Sequence, residues 1–246
     1  MSPQLSTFSR LVCFWTLICF FPSSIGVWNF VPLNFGVAQA EMPGNTNDRI
    51  AVNPNKPSLM VRENDLTLPI SDSESLSFER IYVNDNGNPQ PTDTARLGIG
   101  WRHNLDLTST QLDSPAFSSV RCFYEGEPEK GKLTKVQAQG TSSKLVLRYD
   151  DSDRLTKAAV MENRTEVQSI TYGYDKEGRL IEAVRNDGKS VGYEYRQISS
   201  SVVMTKVLDA GGSCTDIAWT FSSDPKTIAA IKIEVTSPNT ATQAYE

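Results

Sequence analysis

Residues 172–196 read YGYDKEGRLIEAVRNDGKSVGYEYR, two pairs of alternating tyrosines separated by two glycine-bearing turns. Side chains at i and i+2 share one face of a strand but lie on opposite sides of a helix. Tyr172 with Tyr174, and Tyr193 with Tyr195, therefore predict β-strands. Asp175 is placed to bond the backbone of the first turn and Gly178 to take a positive φ there. Asn186, Asp187 and Gly188 supply a second hairpin signal. The unit also recurs. Tyr149-Asp150 followed by Arg154-Leu155 returns 25 residues later as Tyr174-Asp175 followed by Arg179-Leu180, and the Tyr172/Tyr174 pair returns as Tyr193/Tyr195.

One such hairpin cannot hold itself together. Cross-strand pairs contribute about 0.2–1 kcal/mol each, whereas ordering the backbone costs about 1–2 kcal/mol per residue. Stability must come from stacking on neighbouring hairpins, so the repeat predicts an extended or curling sheet with exposed edges. The rest of the chain agrees. SLMVRENDLTLPI and ESLSFERIYVN alternate with strand period, and no amphipathic helical period persists for three turns. The expected fold class is all-β, with antiparallel hairpin repeats in a curling sheet or partial shell, preceded by a β-rich lead-in.

The boundaries follow from composition. Residues 1–40 read as a signal peptide: Arg10 is their only charge, Leu11–Phe21 is an apolar run, and Ala38 and Ala40 form a small-x-small cleavage site. A competing reading keeps the apolar stretch as an anchor, but Pro22 and Pro32 interrupt a spanning helix. The remaining segments are 41–110 as lead-in, 111–144 as a connecting β region, 145–200 as repeats, and 201–246 as a degenerate repeat or tail. Asn84–Thr94 is expected as an exposed loop. Of 24 basic and 29 acidic residues, cleavage removes only Arg10, so the exported chain carries a net charge of −6. That balance disfavours nucleic acid as a partner. Cys122 and Cys214 outlast the leader, and sequence leaves open whether they bridge or stay as two unpaired thiols.

The segment from Tyr174 to Tyr195 resembles the tyrosine-aspartate repeat of Rhs proteins, teneurins and insecticidal toxin complexes. The positions that carry the likeness are Tyr174, Asp175, Gly178, Arg179, Leu180, Gly188, Tyr193 and Tyr195, with a looser copy at Tyr149, Asp150, Arg154 and Leu155 that has Asp153 in place of glycine. Upstream, Asp65, Leu66, Leu68 and Pro69, then Arg80 and Tyr82, then Gly98, Gly100 and Trp101 resemble the Rhs lead-in module. The resemblance implies a secreted, periplasmic or cell-surface β-scaffold, and because no residues assemble into a convincing active site, a scaffold without catalytic function is expected. It also implies partners among further repeat-bearing chains or a toxin cargo. The family's shells use many repeats, and about two are visible here.

Other readings compete at particular residues. His103, the sole histidine, could serve as a catalytic base, and Trp101 as a sugar-stacking platform or a core anchor. Asp150–Asp153 could ligate calcium or form a solvated turn. The tyrosines could stack on carbohydrate at a cell surface, or pack between hairpins. No residue set calls for a cofactor or a metal.

Overall fold

The computed structural model describes residues 49–53, 56–89, 96–105, 119–126, 131–198, 201–223, 230–238 and 243–245. Residues 1–40, expected as a leader with its cleavage site, and part of the loop expected at Asn84–Thr94 lie outside these residues. Five strands form one antiparallel sheet: β1 (Ile50–Val52), β2 (Ser58–Pro69), β3 (Ser75–Asp85), β4 (Asn88–Pro89) and β5 (Trp101–His103). A second sheet is an uninterrupted antiparallel meander in chain order. Its strands are β6 (Val120–Glu125), β7 (Lys132–Ala138), β8 (Lys144–Tyr149), β9 (Leu155–Glu162), β10 (Thr165–Tyr174), β11 (Leu180–Arg185), β12 (Ser190–Ile198), β13 (Ser201–Asp209), β14 (Cys214–Phe221), β15 (Ala230–Thr236) and β16 (Gln243–Tyr245). The all-β, hairpin-built fold is the one expected. The large sheet stays open, with β6 and β16 at its two ends.

A repeated irregularity gives the meander its period. Tyr149 pairs with Leu155 while Arg148 pairs with Lys157, which leaves Thr156 as an extra residue on the second strand. The same bulge leaves over Thr134 opposite Phe123/Tyr124, Ile181 opposite Gly173/Tyr174, Thr205 opposite Glu194/Tyr195 and Ile231 opposite Thr220/Phe221. A bulge bends its strand and strengthens the local twist, so five bulges on equivalent strands act in the same sense. Where the extra residue is threonine, its hydroxyl donates across the gap. Thr134 bonds the Phe123 carbonyl at 3.2 Å, Thr156 the Arg148 carbonyl at 3.1 Å and Thr205 the Glu194 carbonyl at 3.3 Å.

The bulges number the copies. Each bulge follows a buried aliphatic residue (Leu133, Leu155, Leu180, Met204, Ala230) that pairs with an aromatic one: Tyr124, Tyr149, Tyr174, Tyr195 or Phe221. Five hairpin copies therefore lie in the meander, where the tyrosine motif alone marks only the middle ones. The segment expected as a connecting region, 111–144, supplies the first copy through β6 and β7. The turns differ in detail from the two-residue hairpin signal. Asp175–Arg179 and Arg185–Lys189 are three-residue loops closed by backbone bonds, with Gly178 and Gly188 as the left-handed residues. Asp153 takes the same conformation at φ 59°, which explains how the copy that begins at Tyr149 tolerates an aspartate in place of the glycine.

The small sheet lies against the meander, and one apolar core runs from Val52 through Trp101 to Ile233. Strand β2 buries Leu59 and Val61, then Leu66 and Leu68, a switch in alternation made by a bulge at Asp65. That extra residue turns two successive side chains, Asp65 and Leu66, inward. Asn84 and Asp85, expected in a loop, instead end β3, and an Asn86-Gly87 turn with φ of 53° and 80° returns the chain into β4. The reason is tertiary. The buried Asn84 side chain reaches the Val202 carbonyl, and Asn86 accepts the Ala230 N–H, so the hairpin tip is held by the meander.

Candidate functional site

The bulge at Asp65 sets a carboxylate deep between the sheets. Arg80, from the neighbouring β3, meets it with Nε 2.6 Å from Oδ2, and both side chains are 2 % exposed or less. The meander completes the cluster. Tyr172 donates to Asp65 Oδ2 at 2.7 Å, and Arg80 donates through Nη1 to the Tyr193 hydroxyl at 3.0 Å. The guanidinium lies 5.4–5.6 Å from the ring centroids of Trp101, Tyr172 and Tyr193, within cation–π range. Burial alone would lower the Arg80 pKa, but Asp65 and the two phenols outweigh it and raise it well above its ordinary value. Burial pushes Tyr172 and Tyr193 up, and the Asp65 carboxylate adds to the rise at Tyr172.

Next to this cluster runs a ladder. The Tyr149 hydroxyl donates to the Leu133 carbonyl at 2.7 Å, Tyr174 to Leu155 at 2.6 Å and Tyr195 to Leu180 at 2.8 Å. The Trp219 indole donates to the Met204 carbonyl at 2.8 Å. Each acceptor is the buried residue before the bulge of the preceding copy, so every rung ties one hairpin to the one before it. Tyr195 also accepts the Trp101 indole N–H at 2.8 Å, which joins the ladder to the lead-in.

Within the motif, Asp150 accepts from the Ser152 and Arg154 amides and pairs with the Arg154 side chain, and Asp175 does the same with Glu177 and Arg179. These arginines then cover the next tyrosine, Arg154 over Tyr174 at 5.0 Å and Arg179 over Tyr195 at 5.8 Å. Tyr-Asp-x-x-Gly-Arg-Leu is thus one device, in which the turn aspartate aims the arginine and the leucine offers its carbonyl to the following copy.

The lead-in residues converge on the same face. Leu66, Leu68 and Tyr82 are buried, Pro69 ends β2 exposed, and Trp101 is fully buried as a core anchor. Gly98, at φ 87°, approaches the Asp175–Arg179 turn so closely that a Cβ would sit 2.7 Å from the Gly178 carbonyl oxygen and 3.1 Å from the Leu180 nitrogen. Gly100 packs against the Tyr82 ring. Tyr172 and Tyr193 are also interior, so a sugar-stacking platform built on Trp101 or on these rings is overturned by their burial. His103 is 2 % exposed, with its ring 5.2 Å from that of Phe78, far from the setting of a solvent-reached base. At the calcium alternative, the Asp150 oxygens are engaged by the turn and Asp153 pairs with Lys132 at 2.7 Å. Cys122 and Cys214 are both free thiols. They lie on β6 and β14, eight strands apart in a sheet whose neighbours are spaced about 4.8 Å, and burial raises the Cys122 thiol to about 11.

A cleft of about 520 Å³ opens onto the Asp65–Arg80 pair from the β11–β12 end. At its rim Arg49 bridges Glu63 and Asp209, each at 2.6 Å, and so clasps the two sheets. Burial, ahead of the opposing pull of Arg49, raises the Glu63 pKa. The three carboxylates that line the cleft pair with two of its four cations, Arg49 and Arg80, an arrangement suited to holding two sheets in register, while Arg185 and Lys189 approach Asp187 outside it. Sequence reasoning missed Arg49, Glu63 and Trp219, since nothing in their local pattern separates them from other strand residues. Set against protein-family models the chain matches none, and no curated protein matches it either.

Proposed function

We propose that this chain is a non-enzymatic, exported β-scaffold of the Rhs tyrosine-aspartate-repeat type, a wall segment of a shell or cell-surface assembly. The observation that carries the reading is the ladder. The motif tyrosines face inward, and Tyr149, Tyr174 and Tyr195 tie consecutive hairpins together while Tyr172 and Tyr193 hold the lead-in. Residue types that elsewhere do chemistry serve here to fix one sheet on another. The leader-like residues 1–40 support export, and the open ends of the meander suit a part that joins further structure. A carbohydrate- or receptor-binding surface module is the alternative, and it would need residues other than Trp101, Tyr172 and Tyr193.

Expression of the whole chain in cells with a general export route, followed by fractionation and N-terminal sequencing, tests the reading. The expected species lies outside the cytoplasm and begins at Glu41. A chain retained inside with its leader intact would overturn it.

A further inference from the structure

The first strand of the meander, β6, pairs with β7 on one side, and among the described residues no strand pairs with its other side. Apart from two charged side chains, it lacks the usual guards of an edge. Its sequence, VRCFYE, contains no proline or glycine, and the extra residue of its hairpin, Thr134, belongs to β7, so β6 itself runs regular. Its charges are Arg121 and Glu125, both exposed, placed symmetrically about Phe123 and opposite in sign. If a second β6 runs antiparallel with Phe123 facing Phe123, Arg121 of each strand faces Glu125 of the other. A slip of the register by two residues loses both pairings. Glu125 has only a 3.6 Å approach to Lys132 within its own chain and a side chain that is 68 % exposed. Lys135 lies 3.6 Å over the Phe123 ring on the same face, so the central rings arrive already covered.

We propose that β6 is a homodimerisation edge, at which two copies of this chain join β6 to β6 antiparallel about Phe123 and continue one sheet across both molecules. The pairing is isologous and closes at two copies, as a two-fold contact must. Main-chain bonds supply affinity, as in other strand additions, and the paired charges fix direction and register. The inference deepens the assembly part of the proposed function and rests on it. A monomeric exported chain would overturn the edge pairing and leave export standing, whereas a dimer retained inside the cell would do the reverse.

Sedimentation equilibrium of the exported chain tests it. The wild type is expected to dimerise, and Arg121→Glu or Glu125→Arg to raise the dissociation constant roughly ten- to hundredfold, since each replaces two attractions by two repulsions. Mixing the two single variants, or combining them in one chain, restores matched charges and so restores dimerisation. Both positions are exposed, and an unchanged circular dichroism spectrum verifies folding. Phe123→Cys gives a second readout, because directly opposed residues have Cα atoms about 4.5–5.5 Å apart, within disulfide reach. An interchain bridge through residue 123 is expected on mild oxidation. A monomer at every concentration, a dimer indifferent to the charge reversals, or a dimer that fails to bridge would each overturn the proposal.

Discussion

Asp65 and Arg80 form an ion pair of 2.6 Å that is almost wholly inside the protein, and both of their tyrosine partners come from the other sheet more than a hundred residues away. A buried pair recovers its desolvation cost only when its remaining hydrogen-bonding capacity is met, and Tyr172 and Tyr193 meet it. Removing one member strands the other. Arg80→Met or Asp65→Leu is expected to cost about 3–5 kcal/mol, read as a lower urea midpoint. The double variant should lose less than the sum of the two, and simple additivity would show that the residues do not act as a pair.

The rungs between copies predict a smaller effect. Tyr149→Phe, Tyr174→Phe and Tyr195→Phe keep the ring and remove the donor, which leaves a carbonyl without that bond at about 1–3 kcal/mol each, and Tyr195→Phe should cost more than the other two because it also strands the buried Trp101 indole N–H. Tyr149 and Tyr195 stand four strands apart, so their costs should add to within about 0.5 kcal/mol. Thermal unfolding of the two singles and the double checks both the size and the additivity.

Gly98→Ala should be far worse than its size suggests. The added methyl would fall 2.7 Å from a backbone oxygen that cannot swing away, at a φ of 87° that alanine resists. Gly140 has a similar φ of 73° with nothing within 4 Å, so Gly140→Ala carries only the conformational part, about 1–3 kcal/mol. Unfolding midpoints for the two variants separate steric from backbone effects.

Ile181 occupies the bulge position that holds threonine in three other copies, and it is 38 % exposed. Ile181→Thr places a hydroxyl where it can donate to the Gly173 carbonyl, as Thr134, Thr156 and Thr205 do to theirs. A gain of about 0.5–1.5 kcal/mol is expected, and a loss in the urea midpoint would contradict the role assigned to the bulge threonines.

Alkali should unfold the protein cooperatively. Burial raises Tyr82 to about 12 and lifts Tyr172, Tyr193 and Tyr195 above their ordinary value as well. The folded state then holds protons that the unfolded state releases near pH 10. Stability is fully present below about pH 10 and falls as the pH rises towards about 12. Tyrosinate absorbance near 295 nm should appear together with loss of the strand signal in circular dichroism, and a smooth titration of all tyrosines before unfolding would contradict the burial.

The sequence made the strand-turn unit legible, because alternating tyrosines and turn glycines act over a few residues. It also exposed the lead-in motifs, though not what they touch. Tyr172 meets Asp65 and Tyr193 meets Arg80 only once the sheets are packed, and local pattern carries no trace of contacts at such separation. The outer copies escaped for another reason. At Tyr124 and at Trp219–Phe221 the motif letters are gone, and what survives is a buried aliphatic followed by a bulged residue. Leu133-Thr134, Leu155-Thr156 and Met204-Thr205 preserve that signal, which is a pattern of burial more than of identity.

Every rung of the ladder has its acceptor earlier in the chain than its donor: Leu133 before Tyr149, Leu155 before Tyr174, Leu180 before Tyr195, Met204 before Trp219. A polypeptide delivered N-terminus first, from a ribosome or through an export pore, thus lays down each docking carbonyl before the side chain that seeks it. The structure has a growth direction, and it coincides with the direction of synthesis.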